Sequence, residues 1–391
     1  MIKSMAKNAA GHYARRALLP EGFRDQLAPR AEQEGRLVSA LMETFLAYGY
    51  DRVAPPLVEY EDSILFGPGA VRAATMFRLM DPDTQRPMAL RGDITGQMSR
   101  LAATRLKSAP RPLRLAYAGN VLRTKGSQVR PTRQFIQAGV ELIGSASLEA
   151  EVEVIALAVA SLKKVGIAGL SLDLTLAPLV GLLVDRLDLD AEDRLSLIKA
   201  LDAKDVGGLS VVPEHSRDMF TRLIGCTGPA DTVLPQLREL ALSGAAGQLV
   251  ARLGRLIDAL DRRLDDVRLT VDPCETHGFE YKSGIGFALF SASAQGELAR
   301  GGRYLIDGGD DGFEESTGFS VYLDSLMASV RPADRAEKIF LPFGTGTDIG
   351  AALREDGHRT VAGLTEVSEP GQEARRLGCS HIWRDGTVRA L

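Results

Sequence analysis

The chain has 391 residues, 45% of them hydrophobic and 25% charged, with a net charge of −4. That length supports one or two domains with a large core. The composition excludes several classes: it has no low-complexity tract, no apolar run of the ~20 residues a membrane span requires, and no global positive charge to attract nucleic acid.

Residues 1–18 are basic but lack the apolar core of a signal peptide, so they read as a ragged tail. Residues 29–48 predict an amphipathic helix: Leu37, Val38, Leu41, Met42, Phe45 and Leu46 fall at helical spacing, with Gly49 as the stop. Residues 51–56 predict a short strand broken by Pro55 and Pro56. Residues 76–81 and 87–91 predict a hairpin around Pro82-Asp83. A second helix is predicted over 95–106 with Thr95 as N-cap. Strands at 112–118 and 132–143 flank a Gly/Ser/Arg loop. A helix at 151–165, stopped by Gly166, and a strand at 171–176 follow.

From Pro178 to about Arg263 the texture becomes helical, rich in Leu, Ala, Asp and Arg. Four or five short helices fit, separated at Gly207-Gly208, Pro213 and Gly228-Pro229. This predicts a helical insertion, about 178–263, in a sheet domain. Strands are predicted at 267–271 and 286–292, then strand plus helix over 318–330. Residues 338–391 alternate strand and helix: strands 339–342, 360–364 and 381–383, helices 349–355 and 372–377. Gly344-x-Gly346-x-x-x-Gly350 opens the first of those helices. Its spacing is wrong for a dinucleotide loop, and a plain strand-to-helix turn explains it.

Cys226, Cys274 and Cys379 are few, odd in number and far apart. They argue for a reducing cytoplasm and against a disulfide framework or zinc site. The five histidines show no metal-ligand spacing either. A local basic cluster runs through Arg100, Arg105, Lys107, Arg111, Arg114, Arg123, Lys125, Arg130 and Arg133. It reads either as solvated charge or as a surface facing phosphate or a partner.

The most informative run is Arg123 to Gly144, which includes Arg133-Gln134-Phe135-Ile136-Gln137-Ala138-Gly139-Val140-Glu141. It resembles motif 2 of class II aminoacyl-tRNA synthetases, and of the histidyl enzyme in particular. The order of further pieces extends the likeness over roughly residues 19–330. Leu19-Pro20-Glu21-Gly22-Phe23-Arg24-Asp25 is similar to the family's opening segment, and Tyr48-Gly49-Tyr50 with Pro55-Pro56-Leu57-Val58-Glu59 to motif 1. The resemblance implies an α+β fold: a class II synthetase-like antiparallel sheet flanked by helices over 19–335, with the helical insertion, then a small C-terminal α/β segment at 336–391.

The resemblance also implies an amino-acid pocket. The family's Arg-Pro-Glu-Gly-Thr holds the substrate ammonium; here it reads Arg91-Gly92-Asp93-Ile94-Thr95. Asp93 and Thr95 supply a charged and a neutral acceptor, as an ammonium requires. Gln137 and Glu141 match the family's motif 2 residues; four apart on a strand, they share a face. Gln137 would help hold the ammonium and Glu141 would accept an imidazole N–H. The alternative is polar residues on a half-buried strand. A histidine-specific run survives as His277-Gly278-Phe279-Glu280-Tyr281-Lys282, in which His277 replaces an arginine of activation and Lys282 a pocket tyrosine. A second survives as Arg300-Gly301-Gly302-Arg303-Tyr304, with Tyr304 facing the imidazole. Alone, Gly-Gly-Arg-Tyr would read as a turn; in this order it favours the pocket.

The chemistry for ATP does not survive. The family's Arg-x-Glu-Arg reads Arg123-Thr124-Lys125-Gly126, and Ser325 stands where a motif 3 arginine grips the γ-phosphate. Losing one such preorganised charge costs about 2.7–4 kcal/mol in transition-state stabilisation. The tail is about half of the family's anticodon-binding domain, which implies no tRNA partner.

This profile resembles the synthetase-like regulatory subunits of ATP phosphoribosyltransferase. The resemblance implies a non-catalytic cytoplasmic protein without cofactor or metal, self-dimerising within a hetero-octamer of four regulatory and four short-form catalytic chains. L-histidine would be the effector, in the inherited pocket or at the subunit interface. Arg123, Lys125, Arg130, Arg133 and His277 would form a ligand- or partner-facing loop surface. The alternatives are a divergent ligase that activates an amino acid with ATP, and a histidine- or tRNA-binding module outside this pathway.

Overall fold

The computed structural model describes residues 18–65, 74–126, 131–276, 282–307, 312–331 and 337–391. They fall into two compact units, Met1–Arg331 and Pro332–Leu391. The strands of the first unit are β1 (Asp51–Arg52), β2 (Val58–Tyr60), β3 (Phe77–Met80), β4 (Pro87–Leu90), β5 (Leu113–Leu122), β6 (Gln134–Ile143), β7 (Leu170–Thr175), β8 (Gly228–Pro229), β9 (Arg268–Asp272), β10 (Lys282–Ser291), β11 (Ala299–Asp307) and β12 (Phe313–Tyr322).

Nine of these form one sheet in the order β1-β5-β6-β12-β11-β10-β7-β9-β8. Its central ladders are antiparallel, but β1 pairs with β5 and β7 with β9 in parallel. The expected antiparallel sheet is therefore mixed. The physical reason is connection length: parallel neighbours require a long crossover, and the segments between these partners are long. Between β7 and β9 the crossover is the helical insertion itself. It comprises helices Ala177–Val184, Ala191–Asp202, Glu214–Gly225, Ala230–Glu239 and Gly244–Asp261, with a 3-10 turn at Gly207–Val211. Gly228-Pro229, predicted as a helix separator, also pairs with β9 as an edge strand.

The two faces of the sheet differ in chemistry. One packs Ala116, Ala138, Val140, Leu142, Phe287, Leu289, Phe319 and Val321 against the apolar stripes of helices Arg30–Ala47 and Leu148–Lys164 and against the insertion. The first of these helices follows its predicted bounds closely, with Leu37, Leu41, Met42 and Phe45 buried. The second starts earlier than predicted because Ser147 accepts a hydrogen bond from the Ala150 N–H, a capping interaction that frees Leu148 to be helical. The opposite face has a smaller apolar cluster, where helix Thr95–Ala103 lays Ile94, Met98 and Ala102 over Leu115, Tyr117, Ile143, Tyr304 and Ile306. The N-cap of that helix is Ile94, not Thr95. The Asp93 carboxylate accepts the Thr95 N–H at 2.8 Å and does the capping work one residue earlier.

In the second unit, β13 (Lys338–Leu341), β14 (Arg359–Ala362), β15 (His381–Arg384) and β16 (Thr387–Ala390) form a sheet in the order β14-β13-β15-β16. Helix Thr347–Glu355 packs through Leu353 on one face; helix Pro370–Arg376 packs through Ala374 on the other. Strand β16 is absent from the sequence-based expectation. Gly346 is the N-cap of helix Thr347–Glu355, and Gly344 has φ of +83°, as a plain strand-to-helix turn requires. Among the described residues, no helix is long and apolar enough to cross a membrane.

The join between the first helix and the sheet is Phe45, fully buried with its ring edge-on to Phe319 at 5.7 Å. Phe45→Ala should cost about 3–5 kcal/mol and lower the denaturant midpoint at constant m. A loss below about 1 kcal/mol would contradict this packing.

Candidate functional site

The register of the sheet aligns one residue from each of several strands in a row across it. Glu141 on β6 lies opposite Gly318 on β12, Gly318 opposite Gly302 on β11, Gly302 opposite Gly286 on β10, and Gly286 opposite Thr175 on β7. Cross-strand partners point to the same face. Three consecutive glycines thus make a floor without side chains, and polar groups stand at both ends.

Glu141 occupies one end and is only 1% exposed. Its carboxyl leans over Gly318, where no side chain could fit: a Cβ there would fall 2.4 Å from its carboxyl carbon. The Tyr304 hydroxyl donates to Glu141 Oε2 at 2.6 Å, and Ser316 Oγ lies 3.5 Å from the same oxygen. Thr95 also hydrogen-bonds this carboxyl, and the Asp93 charge lies near it. Burial pushes the Glu141 carboxyl up to about 8, outweighing the hydroxyl groups that lower it, with Asp93 adding to the rise. At neutral pH Glu141 is therefore largely a neutral acid.

Gln137 is equally buried. Its Oε1 accepts the Ile94 N–H at 3.1 Å, and its Nε2 donates to Ser320 Oγ at 2.6 Å. Ser320 also meets the Tyr117 hydroxyl at 2.9 Å. The amide oxygen has a second lone pair, which leaves it one acceptor position. Asp93, Thr95, Gln137, Glu141 and Tyr304 are thus gathered on one face. Tyr281 and His277 lie outside the described residues. Tyr117, Ser316 and Ser320 were not anticipated; the period of two along β12 on either side of Gly318 could have found the two serines.

Arg91 of the same segment is a brace. It donates to Asn120 O at 2.8 Å, Pro55 O at 2.9 Å and Gln97 Oε1 at 3.2 Å. Glu59 accepts from Gln97 and pairs with both ends of the Arg100 guanidinium. This ties Pro55-Pro56 to the helix that carries the Asp93 corner.

Several described arginines of the basic cluster are engaged within the fold. Arg100 pairs with Glu59, Arg111 with Glu314 and Arg114 with Glu153. Arg133 lies over the rings of Phe23 and Phe77 at 4.8 and 5.2 Å and donates to Glu21 O and Arg123 O. The Arg123 guanidinium lies 4.9 Å from the Phe135 ring. Lys125 is exposed, and Arg130 lies outside the described residues. At Gly126 the chain closes on itself: a Cβ would lie 2.4 Å from Pro131 O. Position 126 therefore accommodates no side chain.

The raised carboxyl makes a test. An unperturbed glutamate ionises near 4.5. Between about 4.5 and 8 the folded protein keeps a proton that the unfolded chain releases, so stability falls as pH rises through that window. It is fully present below the window. Glu141→Gln removes this dependence. The variant should unfold at a higher temperature than wild type at pH 7, by about 1–3 kcal/mol in stability. The gap should close toward pH 4.5. Lys282, held down at about 8 from 10.5, binds fewer protons than in the unfolded chain only from the top of this window upward, and the raised Glu151 and Asp173 carboxyls are common to both proteins and cancel in the comparison. A gap independent of pH would sink the assignment.

Comparison with known proteins agrees with this architecture. A family model described as histidyl-tRNA synthetase matches residues 22–326. An ATP phosphoribosyltransferase regulatory subunit of Rhodospirillum centenum is 42% identical, covering 96% of each chain. One from Rhodospirillum rubrum is 44% identical, covering 95% of this chain and 96% of the relative. A solved structure from Bacillus halodurans, described as an ATP phosphoribosyltransferase regulatory subunit/histidyl-tRNA synthetase, superposes with a TM-score of 0.80 at 24% identity. It covers 92% of this chain and 96% of its own, and it supports the fold. The chain belongs to the ATP phosphoribosyltransferase regulatory subunit family, built on the histidyl-tRNA synthetase domain.

Proposed function

We propose that this chain is a non-catalytic partner of a short-form ATP phosphoribosyltransferase, acting in the cytoplasm in the first step of histidine biosynthesis. It is required for full activity of the catalytic chain and transmits feedback inhibition by L-histidine. The assembly is a hetero-octamer of four plus four chains built on self-dimers. Neither tRNA nor a cofactor takes part.

One observation supports the ligand above others: the buried Glu141 carboxyl, hydrogen-bonded by Tyr304 at 2.6 Å over a glycine floor. A neutral acid in that position shares its proton readily with an imidazole ring. The pair carries one proton between them whichever partner holds it, so the buried site need not take up net charge. Asp93, Thr95 and the free lone pair of Gln137 receive the ammonium. This is the proposed histidine site, with Asp93, Thr95, Gln137, Glu141, Tyr281 and Tyr304 as its residues. The loop carrying Arg123, Lys125, Arg130 and Arg133, together with His277, is proposed to face the ligand or the partner.

The absence of independent activity rests on the phosphate end. Gly126 leaves no space for a second cation, and Ser325 on helix Leu323–Ser329 carries no charge. The second reading, a divergent ligase that activates an amino acid with ATP, is favoured only by the retained amino-acid end. Regulation then follows from linkage. Histidine binds two states of the complex with different affinity, and a coupling of about 1–3 kcal/mol suffices for control.

Assay of a short ATP phosphoribosyltransferase across histidine concentration, with and without this chain, tests the proposal. The chain should raise the activity, and histidine should suppress it. Calorimetric titration should show histidine binding weakened at least about tenfold in Asp93→Ala and Glu141→Ala, as expected for lost charge-assisted hydrogen bonds. Wild-type affinity in both variants would refute the site. Histidine-dependent ATP–pyrophosphate exchange by the purified chain would establish the ligase reading instead.

A further inference from the structure

The register row that carries the glycine floor continues past it. Gly286 lies opposite Thr175 on β7, and Thr175 opposite Asp272, the last residue of β9. A turn over residues 272–276 begins there. Asp272 Oδ1 accepts the N–H groups of Cys274 at 3.0 Å and Glu275 at 3.1 Å, so this carboxylate shapes the turn. Its other oxygen meets Lys204 Nζ at 2.8 Å, and Lys204 belongs to the helical insertion.

A second contact lies beside the first. Asp202 ends helix Ala191–Asp202, and its Oδ1 accepts both the N–H and the hydroxyl of Thr276, at 2.8 and 3.0 Å. The Lys204 ammonium also reaches Asp202 O at 3.2 Å, which ties the two contacts together. The sheet holds the turn from the other side. Glu275 accepts from Arg300 on β11 at 2.7 Å, and Arg300 is bound by Glu297 at 2.6 Å. Arg300 stands two residues before Gly302, so it shares the face of β11 that carries the floor. The insertion thus grips the turn at Asp272 and Thr276, and the floor strand grips it at Glu275.

The backbone of the insertion is shaped for this contact at a cost. Lys204, two residues past the helix, is left-handed with φ of +58°. Helices that end this way mostly place glycine or asparagine there, because a Cβ is disfavoured. Strain held at a residue points to a role for it, and the ion pair with Asp272 is the role the geometry offers Lys204.

We propose that Asp202 and Lys204 are positioning residues that couple the insertion to the amino-acid floor through the turn at 272–276. The proposal rests on the histidine reading and goes beyond it. A ligand that orders the floor strand orders Arg300 and the turn, and with them the insertion. Coupling is reciprocal. A partner that grips the insertion therefore changes affinity at the floor, although none of the proposed site residues belongs to the insertion.

The test is hydrogen exchange on the purified full chain with and without saturating histidine, read over residues 191–211 of the insertion and 299–307 of β11. In wild type, histidine should slow exchange over both, by at least about fivefold over 191–211, the lower end of typical couplings. In Asp202→Ala and in Lys204→Met the slowing over 299–307 should remain, while that over 191–211 falls below about twofold. Their unfolding midpoints should move little, because both contacts are partly exposed. Asp202→Asn keeps an acceptor oxygen for Thr276 and should restore the response. Arg194→Ala breaks an ion pair with Asp185 in the same insertion, away from the turn, and should respond as wild type does. The proposal is overturned if wild type binds histidine by calorimetry without slowed exchange over 191–211, or if Asp202→Ala and Lys204→Met respond as wild type does. Equal loss in Arg194→Ala also overturns it, since general loosening of the insertion would then be the cause. Wild type that binds no histidine overturns the histidine reading itself, and this proposal with it.

Discussion

Glu141 is a buried carboxyl, and much of the site can be understood as the consequence. A carboxyl at that depth stays neutral or finds donors, and here three hydroxyl-bearing residues on three elements are arranged around it. Tyr304 comes from β11, Ser316 from β12 and Thr95 from the start of a helix. Each must hold its register for the carboxyl to be tolerated. The glycine opposite Glu141 is as necessary as the donors, because the carboxyl occupies the volume a side chain would fill. Sheet register, helix placement and a proton are coupled through one residue.

The two faces of the sheet divide the labour. The apolar face, packed under helices Arg30–Ala47 and Leu148–Lys164 and the insertion, supplies the burial that stabilises the unit. The other face can then keep three glycines in a row and several buried polar groups, which contribute little or negative stability. A domain of this size has core enough to carry such a site. Among the described residues of the basic cluster, Arg100, Arg111 and Arg114 are paired with carboxylates and Arg133 lies over two rings, and a side chain at position 126 would meet Pro131.

How far the sequence could be read depends on the distance over which each feature is encoded. The helix at Arg30–Ala47 and the strand carrying Gln137 and Glu141 are local patterns, and both lie where periodicity places them. The order of motifs also led to the fold, which no single motif could have done. The basic cluster was opaque because its partners are remote: Arg111 meets Glu314 203 residues away. Strand β11 was opaque too, since Gly301-Gly302 has the local chemistry of a turn and becomes strand only between β10 and β12. Lys282, which in the sequence reads as damage to an inherited pocket, lies over the same glycine floor as Glu141 once register is known.

The glycine floor has a consequence for how such a site varies. Its shape is made by missing atoms at positions 286, 302 and 318. Every amino-acid replacement at those positions adds atoms, and none can remove any. Drift there is one-directional: the space can shrink, but it cannot be enlarged or reshaped from the floor. For the proposed histidine site, altered ligand preference would therefore come from the walls, through positions such as 141 and 304, while change in the floor can only close it.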